Sequence, residues 1–511
     1  MRRSAIAGLI AVACSAGGGA GSAQNAAPTL TFAAGCASGP RIRIAAVGDL
    51  LFHDALQRQA LVPGGSFRRF WAPVQGILDQ ADIVYGNFEG PAADGVTAGG
   101  GAVRDPGRTF DRRVYGMTPG ALVFNFHPSV IDDLKASRFT VVSTANNHAT
   151  DRGSLGIDRT IDNLRRAGVA FTGTRKRGDT TSPWSVTTIA KGLTVAWLAC
   201  TYSTNGIPDR HGQVLNCYGQ RDLVMAELQR LAADPEIDAV VLTPHWGQEY
   251  AHQPLASDRT YAREALEAGA DAVLGAHPHV LQPWEKHRTG DGREGLIVYS
   301  LGNFISNQQK PAQRSGIIAL LEFTKPEGQR RASLSAAGFV PTWVDFAGGH
   351  RVTELLGEAA DKASPLAQTL RLLPRGNRVT RTSLGSLPRA CTPDLIARGP
   401  QAPVAIAKSS GGGSVQHIAL AGPVTVAAAP VASLPLLPVP PPEPEAEPEF
   451  EPASLAATAE SQATVAGLVG LVMATLPPRP GPPVPRGPDS RPSALPVRAW
   501  DGHAEAVGPS A

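Results

Sequence analysis

Thr140-Val141-Val142-Ser143-Thr144 is a short β-branched run. It passes directly into Ala145-Asn146-Asn147-His148-Ala149-Thr150-Asp151-Arg152-Gly153, and then into a helical pattern from Gly156 to Ala167. A strand, a polar loop and an amphipathic helix in that order make half of a β-α-β unit, and repeated units of this kind build an α/β domain with parallel strands. Ile157, Ile161 and Leu164 fall on one side of the helix and Arg159, Asp162 and Arg166 on the other, so one face is set for burial.

The same alternation runs outward in both directions. Further strands are expected at Arg43 to Val47, Ile83 to Gly86, Thr194 to Cys200, Ala239 to Pro244, Ala272 to Gly275 and Leu296 to Ser300. Helical spacing recurs at Ser129 to Ser137, Arg221 to Ala232 and Asp258 to Ala268, the last closed by Gly269. The sequence therefore predicts an α/β domain over residues 41–346 with a largely parallel sheet and a C-terminal extension over 347–398. Residues 24–40 read as a linker.

Both ends of the chain have a different texture. Arg2 and Arg3, an apolar run from Ala5 to Ala13 and small residues up to Ala23 read as a secretory signal peptide over residues 1–23. The mature protein is then exported, to the periplasm, cell surface or medium. Cys14 offers a second reading, with processing there and lipid anchoring. Residues 399–511 are rich in Ala, Pro, Ser and Gly, including a Pro-Glu alternation from Pro440 to Pro452. They lack the apolar periodicity to offset chain entropy and read as a disordered tail. The formal net charge is +3 with no dense basic tract, which gives no electrostatic footprint for nucleic acid. Apart from Cys14, four cysteines remain in an oxidising compartment, and four permit three pairings. A Cys200 to Cys217 bridge would staple a polar loop, and a Cys36 to Cys391 bridge would tie the two ends of the folded region together.

Chemistry gathers where the strands end. The six loops begin at Asp49, Asn87-Phe88-Glu89, Asn146-Asn147-His148, His245-Trp246-Gly247-Gln248-Glu249-Tyr250, His277-Pro278-His279 and Ser300-Leu301-Gly302-Asn303. Ligands of open α/β sheets bind outside the carboxyl ends of strands, so these loops should converge. Taken singly, each residue has a structural reading: Asp49 as a helix cap, Glu89 as a loop carboxylate, Asn147 as a turn residue, His245 as a core histidine. His277 and His279 differ, because an extended segment stiffened by Pro278 would aim both rings the same way. Together, carboxylates, an amide and imidazoles suit Zn, Mn or Fe. Two divalent cations about 3.5–4 Å apart would account for so many donors.

These blocks, in this order from about Ile42 to Phe304, resemble the bacterial capsule-synthesis protein CapA family, linked to capsule or poly-γ-glutamate production. The domain of that family is similar to calcineurin-like metallophosphoesterases, with sheet layers flanked by helices. The resemblance implies Asp49 and His279 on one metal, Glu89 as the bridging carboxylate, and Asn147, His245 and His277 on the second metal. It implies His148 as the acid, Asp151 as the group that orients it, and Glu249 and Asn303 as substrate or supporting contacts. Two positions depart from the phosphoesterase pattern: Leu51 stands where a histidine is usual, leaving only His53 to replace it, and Glu89 is a longer bridge than Asp.

Three functions follow as expectations. The first is an exported protein of capsule or polyglutamate assembly, acting on an envelope polymer or phosphorylated precursor alongside capsule-assembly proteins. The second is a general metallophosphoesterase. The third is a non-catalytic adaptor that binds envelope polymer, with the Pro-rich tail as a spacer.

Overall fold

A computed structural model describes residues 28–118 and 122–390. The signal peptide, the Cys14 anchor and the Pro-rich tail lie outside the described residues. Among those described, the strands are β1 (Arg41–Leu50), β2 (Ile83–Phe88), β3 (Phe139–Ser143), β4 (Ala170–Thr172), β5 (Val186–Ala190), β6 (Leu193–Thr201), β7 (Ala239–His245), β8 (Ala272–Leu274), β9 (Trp284–Arg288), β10 (Glu294–Val298), β11 (Asn303–Ile305), β12 (Ser315–Thr324), β13 (Ser333–Asp345) and β14 (Arg351–Glu354).

They form two sheets, the sheet layers that the family resemblance implies, where the residue pattern alone points to one largely parallel sheet. The first runs β14-β13-β12-β1-β2-β3-β4, with β11 also paired to β1; the second runs β5-β6-β7-β8-β10-β9. Parallel pairing is confined to β11, β1, β2, β3 and β4 in one sheet and to β6, β7, β8 and β10 in the other. The long antiparallel β12 and β13 extend the first sheet beyond β1. Local pattern misses this arrangement because β12 is buried along its whole length and shows no period-2 alternation to mark it as a strand.

Strand alternation explains the layers. In β1, Ile42, Ile44 and Ala46 face the second sheet and pack in one cluster with Val195, Trp197, Val241, Leu274 and Val298. Ala45 and Val47 point the other way, into a core with Phe52, Phe67, Trp71, Ile131 and Leu134. On the far side of the second sheet, Leu198, Val240, Leu242, Val273 and Ile297 meet Val224, Leu228, Tyr261 and Leu266 of the helices Arg221–Ala233 and Ala256–Glu267. The result is helix, sheet, sheet, helix. Between the sheets Tyr85 stacks on Trp197, ring centroids 5.3 Å apart.

Residues 28–40, read as part of a linker, are mostly exposed or half-buried and dock at a few points. Phe32 is fully buried in the inter-sheet core, and Leu30 exchanges hydrogen bonds with the Asn377 side chain at 2.7 and 2.8 Å. Cys200 and Cys217 are bridged. Cys36 is also disulfide-bonded, while Cys391, its expected partner, lies outside the described residues. No helix among the described residues is long and apolar enough to cross a membrane.

Candidate metal centre

Register brings the loops together. Asp49, near the end of β1, lies opposite Asn87 on β2 and Asn303 on β11. Glu89 follows β2 by one residue, on the same face as Asn87 by strand alternation. From the second sheet, His245 ends β7 and bridges to Ala276, which starts the loop that carries His277 and His279. The centre is thus built across the seam between two sheets.

Two groups of side chains are spaced to hold a metal ion: Glu89 with His245 and His277, and Glu89 with Asp49 and His279, each group having its donor atoms within 4.8 Å of one another. Glu89 belongs to both. His245 Nε2 is 3.5 Å and His279 Nε2 is 3.7 Å from Glu89 Oε1. Asn147 joins the first of these groups, its Oδ1 accepting from His245 Nε2 at 2.9 Å. All of these side chains are buried.

The polar bonding is incomplete in a way that suits a cation. Both Glu89 carboxylate oxygens and His277 Nδ1 are buried without a hydrogen-bond partner, a state that costs several kcal/mol for a charged group unless it is paired or neutralised. Burial, followed by the charge of Asp49, pushes the Glu89 carboxyl well above the usual range. Burial and then neighbouring imidazoles push His245 and His277 well below theirs. For His279 burial acts downward, but the Glu89 and Asp49 carboxylates prevail and lift it to about 10. Glu89 and His279 therefore compete for one proton. Oxygen and imidazole donors with orphaned buried atoms fit divalent cations.

Beside these groups, His148 Nδ1 donates to Asp151 Oδ2 at 2.8 Å, and the same oxygen accepts the Phe124 N–H at 2.6 Å. The Phe124 ring stands edge-on to His148, centroids 4.7 Å apart. Burial raises the Asp151 carboxyl against the opposing pull of His148. Glu249 is half-buried, and its charge acts on both Glu89 and His279. Asn303 has a partner inside the centre rather than a place at its mouth: it is fully buried, and its Oδ1 accepts from His279 Nδ1 at 3.0 Å. His53 belongs to neither ion-holding group. Burial pushes it down to about 4, and its Nδ1 takes the Asn307 N–H at 3.3 Å.

The His277-Pro278-His279 segment corrects its sequence reading. It is not extended: His277 and His279 have φ of 100° and 57°, and it is this left-handed backbone that turns both rings inward. Tyr250 shares the conformation at φ 63°, and its N–H bonds Pro278 O at 2.8 Å. Such φ values are rare outside Gly and gather at functional sites. The sequence reading names Asn87 in its second block but gives it no role, and it passes over Tyr202 and Asn205 in the disulfide-stapled loop. Tyr202 packs on the His277 ring at 4.6 Å, and Asn205 Oδ1 accepts from Asn147 Nδ2 at 3.2 Å. Only Asn87 left a local signal, its period-2 spacing from Glu89.

Comparison with known proteins adds a lineage. The family described as "Bacterial capsule synthesis protein PGA_cap" matches residues 43–308. "Capsule biosynthesis protein CapA" of Bacillus anthracis is 28% identical over 244 residues, covering 46% of this chain and 53% of that protein. "PGA biosynthesis protein CapA" of Bacillus subtilis (strain 168) is 28% identical over 275 residues, covering 51% and 62%. The chain thus spans a little over half the length of these relatives. Among solved structures, Haemophilus influenzae NAD nucleotidase (NadN) overlaps 66% of this chain and 57% of its own, at 12% identity and a TM-score of 0.34.

Proposed function

The chain belongs to the bacterial capsule synthesis protein family PGA_cap, and from that footing we propose that it is an exported protein of capsule or poly-γ-glutamate production with a cation-dependent hydrolytic centre. Its substrate is an envelope polymer or a phosphorylated precursor of one. The observation that carries the reading is Glu89: a buried carboxylate with both oxygens unpaired, shared by two groups of metal-type donors.

Asp49, Glu89 and His279 would hold one divalent cation, and Glu89, Asn147, His245 and His277 the other. When bound, such ions polarise an ester or amide oxygen and lower the pKa of an attacking water. The chain's own part is positional and protonic. Asn303 fixes the His279 ring through Nδ1. Asp151 holds the Nδ1 proton of His148, leaving Nε2 to give a proton to a leaving oxygen. Phe124 walls that imidazole on one side.

The test is cation content. Protein stripped with a chelator and reloaded with Mn2+ should hold about two equivalents and lose them on His277→Ala with His279→Ala. Loaded protein should cleave bis(p-nitrophenyl) phosphate or a γ-glutamyl amide. No bound Mn2+ and no activation would overturn the hydrolytic centre and leave a polymer-binding adaptor.

A further inference from the structure

We propose that the amide oxygen of Asn303 is a direct ligand of the cation held by Asp49, Glu89 and His279, an inference that rests on the cation reading above. That group offers three donors, whereas Asn147 brings the group of Glu89, His245 and His277 to four. Leu51 stands where a further histidine would serve the Asp49 ion. Asn303 is fully buried and lies opposite Asp49 across the parallel pair of β1 and β11. Close backbone approach puts it there: a Cβ on Gly48 would meet Gly302 O at 1.8 Å, and one on Gly316 would meet Asn303 O at 2.1 Å. Two positions without a side chain thus let the short β11 press against its neighbours.

Chemistry fixes which way the amide points. Its Nδ2 donates to Gln313 O and to Gln308 Oε1, both at 2.8 Å. A backbone carbonyl can only accept, so the NH2 end is committed outward and Oδ1 must face the centre. There Oδ1 and Asp49 Oδ2 each lie 3.0 Å from His279 Nδ1. One ring nitrogen carries one proton and cannot serve two oxygens equally. Three donors about one point suit an ion better: adjacent ligands of an octahedral ion, about 2.1 Å from it, stand about 3.0 Å apart. In the metal-free chain the Nδ1 proton holds that point and fixes the ring. A cation bound at Nδ1 displaces the proton, and the two oxygens pass from accepting it to ligating the ion. His279 then keeps its remaining proton on Nε2, and no hydrogen bond at Nδ1 is required of the loaded state. Each ion has one amide oxygen, from Asn147 or from Asn303, and the Asp49 ion gains the donor that Leu51 does not supply.

The experiment titrates the chelator-stripped full chain with Mn2+ in a calorimeter, for the natural protein, Asn303→Leu and Asn303→Asp. It adds Co2+ absorption spectra of Asn303→Cys and urea unfolding of each metal-free form. The natural protein should take up two ions. Asn303→Leu, close to the same size, should weaken one step and spare the other, and Asn303→Asp should restore it. Losing an outer hydrogen bond to a ligating histidine already weakens binding by about 10- to 100-fold, so the spectrum decides between the two roles. A thiolate bound to Co2+ absorbs by charge transfer in the near ultraviolet, and an unbound thiol does not. Asn303→Cys should show that band above the spectrum of the natural protein. Co2+ bound without the band, or both Mn2+ steps unchanged in Asn303→Leu, would overturn the ligand role while leaving the cation reading intact. If Asn303→Cys does not fold, the natural protein decides. In its Zn2+-loaded form, nitrogen–proton correlation NMR should find His279 protonated at Nε2, and a proton at Nδ1 would overturn the proposal. A natural protein that binds no Mn2+ would sink the cation reading and the inference with it.

Discussion

Metal-free protein should lose stability as pH rises from about 7.5 to 9.5, the opposite of the trend set by a salt-bridged carboxylate. His279 is raised from 6.5 to about 10 by Glu89 and Asp49 against the effect of burial, and Glu89 is raised by burial and Asp49. A protonated Glu89 removes the charge that lifts His279, so the pair retains one extra proton rather than two. Between about 7.5 and 10 the native state binds that proton and the unfolded chain does not, so unfolding free energy falls with pH. Two pH units at about 1.4 kcal/mol per unit come to roughly 3 kcal/mol. That is a large part of the roughly 5–15 kcal/mol by which domains are stable. At an m-value of about 3 kcal/mol/M it moves the urea midpoint by about 1 M. His53, His245 and His277 are all lowered in the folded state, so below about pH 7.5 their proton uptake by the unfolded chain opposes the trend, and above it they are neutral in both states. The assay is urea unfolding of chelator-treated protein at about pH 7.5, 8.5 and 9.5, repeated with saturating Mn2+ and with Glu89→Gln plus His279→Asn. The ion should displace the proton and flatten or reverse the slope, and the double variant should remove it. Metal-free stability that is flat or rises across this range would refute the shared-proton account.

Asp151→Asn should lower turnover of bis(p-nitrophenyl) phosphate by about 10²-fold with Mn2+ affinity unchanged; an unchanged rate would free His148 from its assigned role. Cys200→Ser with Cys217→Ser should cost about 3 kcal/mol in urea unfolding, as expected for a closed loop of this size. Because the released loop carries Asn205 and Tyr202, one Mn2+ equivalent should weaken more than the other.

The strands that carry the centre were legible because each ends a β-branched run and opens on a polar block. Asp49, Glu89, Asn147, His245, His277 and His279 do sit together, as the convergence argument required. What sequence could not give was the antiparallel arm of the first sheet, since pairing between β1 and β12 joins residues such as Ile44 and Leu321, far apart in the chain and both apolar. Nor could it give Asn205, whose partner Asn147 is 58 positions away. Asn87 stood in a quoted block without a role for another reason: an amide at a strand end shows no purpose until its partners are known. The His277 and His279 rings were placed together on the wrong ground, because spacing does not report the sign of φ.

The stack of Tyr85 on Trp197 takes on a further meaning once the centre is seen to straddle the seam. Asp49 and Glu89 ride on one sheet and His245 and His277 on the other, so the gap between sheets is also the gauge of the donor cage. Two aromatic rings lying within 3° of parallel act as a shim of fixed thickness beneath it. Tyr85 is two residues before Asn87, and Trp197 is four before Thr201, which pairs with His245. Thinning the shim, as in Trp197→Leu, would let the sheets settle toward each other and retune cation spacing from the core, so a substitution that touches no donor would be read out as a change in metal preference.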